Sequence, residues 1–351
     1  MKGSIKLFSI FGISINIHIT FLLLLVLFLS GGVKWLVLVI GVFCFVTLHE
    51  ICHSLVAKHF GIQVREITLL PIGGVASMSS MPEKPAQEFF ISLAGPLFNV
   101  AVVAVFYYPM KSLLGPGVLF YRPLSTVTWP LTISYLYWIN LILAIFNLIP
   151  AFPMDGGRVL RALLAQKMGY QKATRIAVNL GHIFALGFAY FGIIGGNIIL
   201  IAIAVFIYVA ASNEGVQVDL RETLKKFRVK DILSPNFLTV TSDATLSRVL
   251  ELIFHSHQED FPVFDGENMT GFVTRHEIMS GMHNLGTQTH VADVMMKNFP
   301  YVSDTELLVK AQKIMEDNQI RALPVMKGGK VLGIITLEDI ARIYAITSQK
   351  S

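Results

Sequence analysis

The chain has 351 residues, of which 54% are hydrophobic and only 15% charged, with a mean hydropathy of +0.62; this composition excludes a wholly water-soluble globular protein. The net charge of +5 is unevenly split: residues 1–212 carry 13 Lys and Arg against 5 Asp and Glu, a net of +8, and residues 213–351 carry 15 against 18, a net of −3. The positive excess therefore lies in the apolar half, where basic loop residues set topology, and no nucleic-acid partner is expected. The two cysteines, Cys44 and Cys52, lie eight apart in one apolar run, too far for a disulfide.

Lys2 and Lys6 precede an apolar run that leads almost directly into the next one, which reads as a first transmembrane helix and not as a cleaved signal peptide. Six spans can be drawn at the length a bilayer core requires, over residues 15–32, 35–57, 89–108, 131–149, 173–194 and 197–211. The last is short and follows Gly195-Gly196, so five or six spans remain open. A cytoplasmic N-terminus puts ten basic residues inside (Lys2, Lys6, Lys58, Arg65, Lys84, Arg158, Arg161, Lys167, Lys172 and Arg175) and three outside (Lys34, Lys111 and Arg122), as the positive-inside rule asks.

The second span ends in Thr47-Leu48-His49-Glu50-Ile51-Cys52-His53. Histidines four apart share one helix face, so both imidazoles can reach one metal while Glu50 leans toward a metal-bound water. A carboxylate within a membrane helix costs about 2.5–3.5 kcal/mol, so such a group usually faces a polar cavity; the competing reading is a polar cluster packed against another helix. A catalytic zinc site takes three protein ligands and one open position. The candidate third ligand is Asp155, in Asn147-Leu-Ile-Pro150-Ala-Phe-Pro153-Met-Asp155-Gly156-Gly157-Arg158, where two prolines and two glycines predict unwound backbone. Taken alone, Asp155 reads better as a turn residue ahead of Gly-Gly; beside an HExxH in a membrane span, the ligand reading is the stronger. Between spans two and three, Pro71 and Gly73-Gly74 among β-branched residues predict a hairpin or sheet edge at the membrane surface, with an ordinary loop as the alternative. His18 and His182 also fall in apolar segments, where a bond to a backbone carbonyl is the default expectation.

The tail repeats itself at an offset of 62: Asp231-Ile-Leu matches Asp293-Val-Met, Phe261-Pro262-Val263 matches Leu323-Pro324-Val325, Gly271-Phe-Val-Thr274 matches Gly333-Ile-Ile-Thr336, and Ile278 matches Ile340. One offset held by several landmarks marks a duplication. Each copy reads as a helix (246–255 and 306–318), two short strands and a closing helix. The predicted division is a membrane domain over 1–212, a connector over 213–226, and paired modules over 227–351, about 227–285 and 289–346.

HEICH in the second span, Asn-x-x-Pro-x-x-x-x-Asp-Gly after the fourth, Gly73-Gly74 between them, and Ala94-Gly95-Pro96-Leu97-Phe98-Asn99 in the third resemble the site-2 protease family of intramembrane zinc metalloproteases. The branch ending in paired CBS domains is the match, over essentially the whole chain. The resemblance implies a polytopic α-helical membrane domain of about six transmembrane helices with a short β-hairpin or sheet element, followed by an α/β tandem CBS domain. It implies one Zn2+ per chain held by His49, His53 and Asp155, with Glu50 as general base. Asn147 would bind the oxyanion or orient the substrate, a membrane-spanning protein segment that unwinds along the Gly73-Gly74 hairpin. Cys52 stands where the family often has glycine; it could compete for the metal as a thiolate or simply pack against a neighbouring helix.

In the CBS family the strand-end Thr and the acidic residue three later bind an adenine nucleotide, which points to Thr336 and Asp339 for ATP or a relative. Thr274 and Glu277 are the second half-site, with Glu in place of Asp. A structural pair that forms a homodimer and binds nothing is the alternative. The implied location is the cell (plasma) membrane, multi-pass, with N-terminus and CBS domains cytoplasmic. The rival class is a CBS-gated metal transporter or metal sensor without peptidase activity; a base at Glu50 serves hydrolysis and has no use in transport.

Overall fold

In a computed structural model, residues 3–348 are described except for 72, 79–81, 83, 115–128 and 257; Lys2 and Arg122, counted above for topology, lie outside them. The chain divides into two units, residues 1–217 and 218–351. Among the described residues, four helices are long and apolar enough to cross a membrane: α2 (Val33–His59), α3 (Pro85–Leu114, apolar over Pro85–Ser112), α6 (Tyr170–Ile194) and α7 (Ile198–Leu224). Two shorter apolar helices accompany them, α1 (Ile19–Leu29) and α4 (Trp129–Asn147). Each predicted span thus contains an apolar helix, and the structure departs from or adds to the expected elements at three places.

The first concerns the N-terminus, where the predicted span from residue 15 begins as strand. Ile13-Ser14-Ile15-Asn16-Ile17-His18 alternates apolar and polar with period two, which is a strand's pattern and not a helix's. It forms β2 (Ile13–His18), paired antiparallel to β1 (Ser4–Ile10) across a turn at Phe11 and Gly12, which both have positive φ. Only 11 residues remain for α1. The second is an addition: the expected hairpin forms as β3 (Val64–Leu70) and β4 (Gly73–Met78) and belongs to a four-stranded sheet of order β1-β2-β3-β4. β2 runs parallel to β3, with Asn16 opposite Thr68, and Asn16 Nδ2 donates to Glu66 at 2.5 Å. Ile13, Ile15, Ile67 and Leu69 from the sheet bury against Ile51 and Ala57 of α2 and Ile91 of α3, so the sheet is held against the helix carrying the two histidines.

The third, a correction, is at the last span. The expected break after residue 211 is absent: α7 continues through the polar stretch to Leu224, 27 residues in all. A further helix, α5 (Asp155–Met168), follows the unwound segment after α4; it is strongly amphipathic and was not among the predicted elements. Asp155 is its first residue, so the unwound backbone lies just before the carboxylate and not around it.

An ion group ties α5 to its neighbours. Arg161 of α5 is 2% exposed; its Nε donates to Glu88 Oε1 of α3 at 2.8 Å and its Nη1 to Glu214 Oε1 of α7 at 2.8 Å. The rings of Phe152 and Tyr170 each lie 4.7 Å from the guanidinium carbon. Buried charge is tolerated where partners neutralise it and fill its hydrogen bonds.

The second unit shows the duplication in its hydrogen bonding. The first copy has α8 (Leu246–His255), β5 (Phe261–Asp265), β6 (Asn268–Val273) and α9 (Arg275–Leu285); a short α10 (Val291–Val294) follows. The second copy has β7 (Val302–Ser303), α11 (Leu308–Asn318), β8 (Ala322–Lys327), β9 (Lys330–Thr336) and α12 (Leu337–Ser348). Pro262 pairs with Phe272 and Pro324 with Ile334, and each hairpin shifts register at the next step, Val263/Phe264 and Val325/Met326. Val240 bridges Val263 in parallel as Val302 bridges Val325. All these positions differ by the offset of 62 read from the sequence.

Candidate active site

His49 and His53 project from one face of α2, and Asp155 arrives from the first turn of α5. The three meet: His49 Nε2 and His53 Nε2 are 3.1 Å apart, and each is 3.2 Å from Asp155 Oδ2. Both histidines are buried, at 6% exposure each.

The opposite edges of the rings fix which nitrogens carry protons. His53 Nδ1 lies 2.6 Å from the carbonyl of Ile91, which can only accept. His49 Nδ1 lies 2.5 Å from Asn99 Oδ1. The orientation of Asn99 is set in turn, because its Nδ2 donates to Asn140 Oδ1 at 2.8 Å and Asn140 Nδ2 donates to the Leu136 carbonyl at 2.9 Å. A backbone carbonyl at the end of this series requires donors all along it, so both Nδ1 atoms carry hydrogen, and in the neutral rings both Nε2 atoms present lone pairs. Two imidazole lone pairs and a carboxylate oxygen converging at 3.1–3.2 Å repel one another unless a cation lies among them. A tetrahedral metal with bonds of about 2.0 Å to N and O sets its ligand atoms about 3.3 Å apart. The donor set therefore fits a divalent metal in both chemistry and spacing.

The cluster opens into a cavity of about 470 Å³, whose lining includes Glu50, Asn147, Arg158, Ser92 and the inner face of β4 from Gly73 to Ala76. Glu50 and Asn147, singled out from sequence, thus share one cavity with the metal-type cluster. Cys52 is absent from that lining, and the histidine–aspartate cluster forms without it. Two glycines make close approaches that no other residue permits. A Cβ on Gly95 of α3 would lie 2.3 Å from His53 Nε2 and 2.6 Å from His49 Nε2, and one on Gly74 of β4 would lie 2.7 Å from Glu50 Cγ. Both motifs were visible in the sequence, but the contacts that explain them were not. Asn99, Asn140 and the Ile91 carbonyl were missed as supports for the imidazoles; the available signal was two amides inside apolar helices, where an unpaired polar group is costly.

The other membrane histidines do not follow the default expectation of a carbonyl partner. His18 Nδ1 accepts from the Thr20 amide at 3.3 Å as the cap of α1, and His182 Nε2 meets Ser212 Oγ at 2.9 Å while its ring stacks on Tyr208 at 4.4 Å.

In the second unit, Thr336 and Asp339 both line a cavity of about 900 Å³ formed by both copies of the repeat, together with Ser234, Phe237, Asp260 and Arg321. Asp339 Oδ2 accepts from the Thr336 amide at 3.1 Å and from its hydroxyl at 2.8 Å. Thr274 and Glu277 repeat these hydrogen bonds at the offset of 62 but stand away from that cavity. The Glu277 carboxylate folds back onto the amide and hydroxyl of Thr274; Glu277 lines a separate cavity of about 300 Å³, and Thr274 lines neither. Burial pushes the carboxyl of Asp260 up to about 6, against the bond it accepts from the Arg275 amide.

Residues 37–115 and 108–188 match Peptidase family M50, and residues 229–284 and 291–346 match the CBS domain. A zinc metalloprotease of Methanocaldococcus jannaschii is 36% identical over 356 residues, spanning 100% of this chain and 98% of that protein. The chain belongs to peptidase family M50, the site-2 proteases, and carries a tandem CBS pair. Rip3 of Mycobacterium tuberculosis is 28% identical over 99% of this chain and 94% of that protein. A solved site-2 protease from M. jannaschii is 43% identical, covering 60% of this chain and 95% of that chain, with a TM-score of 0.46.

Proposed function

We propose that the protein is an intramembrane zinc metalloprotease that hydrolyses peptide bonds in membrane-spanning or membrane-proximal segments of other proteins. The observation that carries this reading is the convergence of two imidazole nitrogens and a carboxylate oxygen at 3.1–3.2 Å in a cavity that also holds Glu50. His49, His53 and Asp155 hold one zinc ion. Bound zinc supplies Lewis-acid polarisation of the scissile carbonyl and acidifies a water molecule. Glu50 takes the proton from the attacking water and passes it to the leaving amine. The side-chain amide of Asn147 donates to the oxygen on which negative charge develops. Asn99 and the Ile91 carbonyl keep both imidazoles turned toward the metal.

The substrate presents its backbone in extended form, because an intact helix occupies its own carbonyls. β4 is the terminal strand of its sheet and passes over Glu50, so an unwound segment adds to its outer edge. The protein is multi-pass in the cell membrane, with a membrane domain over 1–212, a connector over 213–226 that is helical as far as Leu224, and CBS domains over 227–351. The N-terminus and the CBS domains are cytoplasmic, in keeping with the distribution of lysine and arginine. An adenine nucleotide binds at Thr336 and Asp339 and regulates cleavage through unequal affinity for two states of the enzyme; the CBS domains also pair two copies of the chain.

Purified protein in detergent, incubated with single-span substrates, tests the protease reading. Cleavage by the wild type and its loss in Glu50→Gln are expected; equal cleavage by both would remove Glu50 from the mechanism.

A further inference from the structure

We propose that the cleft between the two CBS copies selects an adenosine ligand bearing at most one phosphate and discriminates against the triphosphate. This rests on the reading that an adenine nucleotide binds at Thr336 and Asp339, and it narrows the chemical class of that ligand.

The charge of the lining carries the argument. Four carboxylates, Glu259, Asp260, Glu338 and Asp339, face two guanidinium groups, Arg321 and Arg342. Arg275, outside the lining, bonds Glu259 at 2.6 Å; with it counted, these groups balance to one negative charge when all are ionised and to none when Asp260 is protonated. Arg321 is hydrogen-bonded to a carboxylate of the cleft, and Arg342, 71% exposed, lies beside another. Arg321 Nη2 donates to Glu338 at 2.5 Å and its Nη1 lies 3.5 Å from Glu259, while Arg342 Nη1 lies 3.7 Å from Asp339.

The backbone does not compensate. A helix N-terminus binds phosphate through its unpaired amides, and α12 begins beside the cleft. Its Leu337 amide, however, already donates to the Arg321 carbonyl at 2.9 Å, and its Asp339 amide to Thr336 Oγ1 at 3.1 Å. Its first turn also carries Glu338 and Asp339, which set negative charge where a phosphate would lie. Ionised carboxylates only accept hydrogen bonds, which suits the hydroxyls of a ribose and the amino group of adenine. A chain of three phosphates offers further acceptors and up to four negative charges, and meets no excess of positive charge among the described lining residues.

Calorimetric titration of the full-length protein in detergent with adenosine, AMP and ATP, the last with and without Mg2+, decides the matter. The expected result is ATP binding more than tenfold weaker than the better of the other two, with the gap shrinking as salt screens the repulsion. The double variant E259Q/E338Q, which frees Arg321, is expected to close most of that gap. ATP binding within tenfold of the better of adenosine and AMP overturns the inference while leaving the nucleotide reading intact. Failure of all three to bind refutes the nucleotide reading itself, and this inference with it.

Discussion

Asn99 and His49 stand 50 residues apart in sequence and 2.5 Å apart in space, with the amide oxygen accepting from Nδ1 of the ring. This bond decides that His49 Nε2 faces the cavity as a lone pair. Loss of such a supporting group typically costs about 10–100-fold in metal affinity. Asn99→Leu is expected to lower zinc affinity by that factor, and Asn99→Asp to retain it, because a carboxylate oxygen still accepts. Competition with a chelator of known affinity measures both.

Asp155→Ala removes one of three ligands and is expected to abolish stoichiometric zinc. Glu50→Gln leaves the ligand set whole and is expected to keep the metal. Its hydrolysis should fall by about 10²–10⁴-fold, the usual contribution of a general base. Metal analysis and substrate cleavage on the same preparations separate the two effects. Full zinc in Asp155→Ala would remove that residue from the ligand set.

Gly95→Ala is a test of steric closeness without any change in polarity. A methyl group there would sit 2.3 Å from His53 Nε2, so α3 or the imidazoles must move. Loss of zinc with retention of helical content by circular dichroism is expected. Normal zinc binding would show that α3 shifts freely, contrary to its packing.

Removing one partner from a buried ion group costs about 3–5 kcal/mol, because a charge is left uncompensated. Arg161→Met strands the carboxylates of Glu88 and Glu214, and a loss of that order is expected in thermal unfolding. The accompanying change E88Q is expected to recover part of it, since a neutral amide needs no counter-charge.

Asp260 gives the second unit a pH dependence of predictable sign. Its carboxyl is held near 6 in the folded chain, against an ordinary value near 3.8, so folding favours the protonated form. Its contribution is fully present below the ordinary value and is lost as pH rises through 6. Two pK units correspond to about 3 kcal/mol. Asp260→Asn, which keeps an oxygen for the Arg275 amide, is expected to be more stable than wild type at pH 7 by up to that amount. The difference should vanish toward pH 4, as thermal melts across this range would show.

The features legible in the sequence were those whose signal is local. HEICH places two histidines and Glu50 on one turn of one helix, and Pro150, Pro153 and Gly156-Gly157 mark where a span breaks. A constant offset of 62 marks the repeat down to the register of its hairpins. The strand at Ile13–His18 was hidden because alternation over six residues is overwhelmed by the apolar run that follows it. The helix from Asp155 was hidden because its Gly-Gly start reads as a turn. The contacts of Asn99, Asn140 and Gly95 depend on which helices become neighbours, which no single segment encodes.

The Glu259–Arg321 contact in the tail has a consequence for assembly. The two residues occupy the same place in the two copies, since 259 and 321 differ by the repeat offset, and they meet at 3.5 Å. A newly duplicated module would have set like against like at this seam. Reversing the sign in one copy turns self-repulsion into attraction and makes the halves non-interchangeable: a first copy that met another first copy would set glutamate against glutamate. The symmetry of the repeat is broken at this pair, in the sense that favours pairing first copy with second.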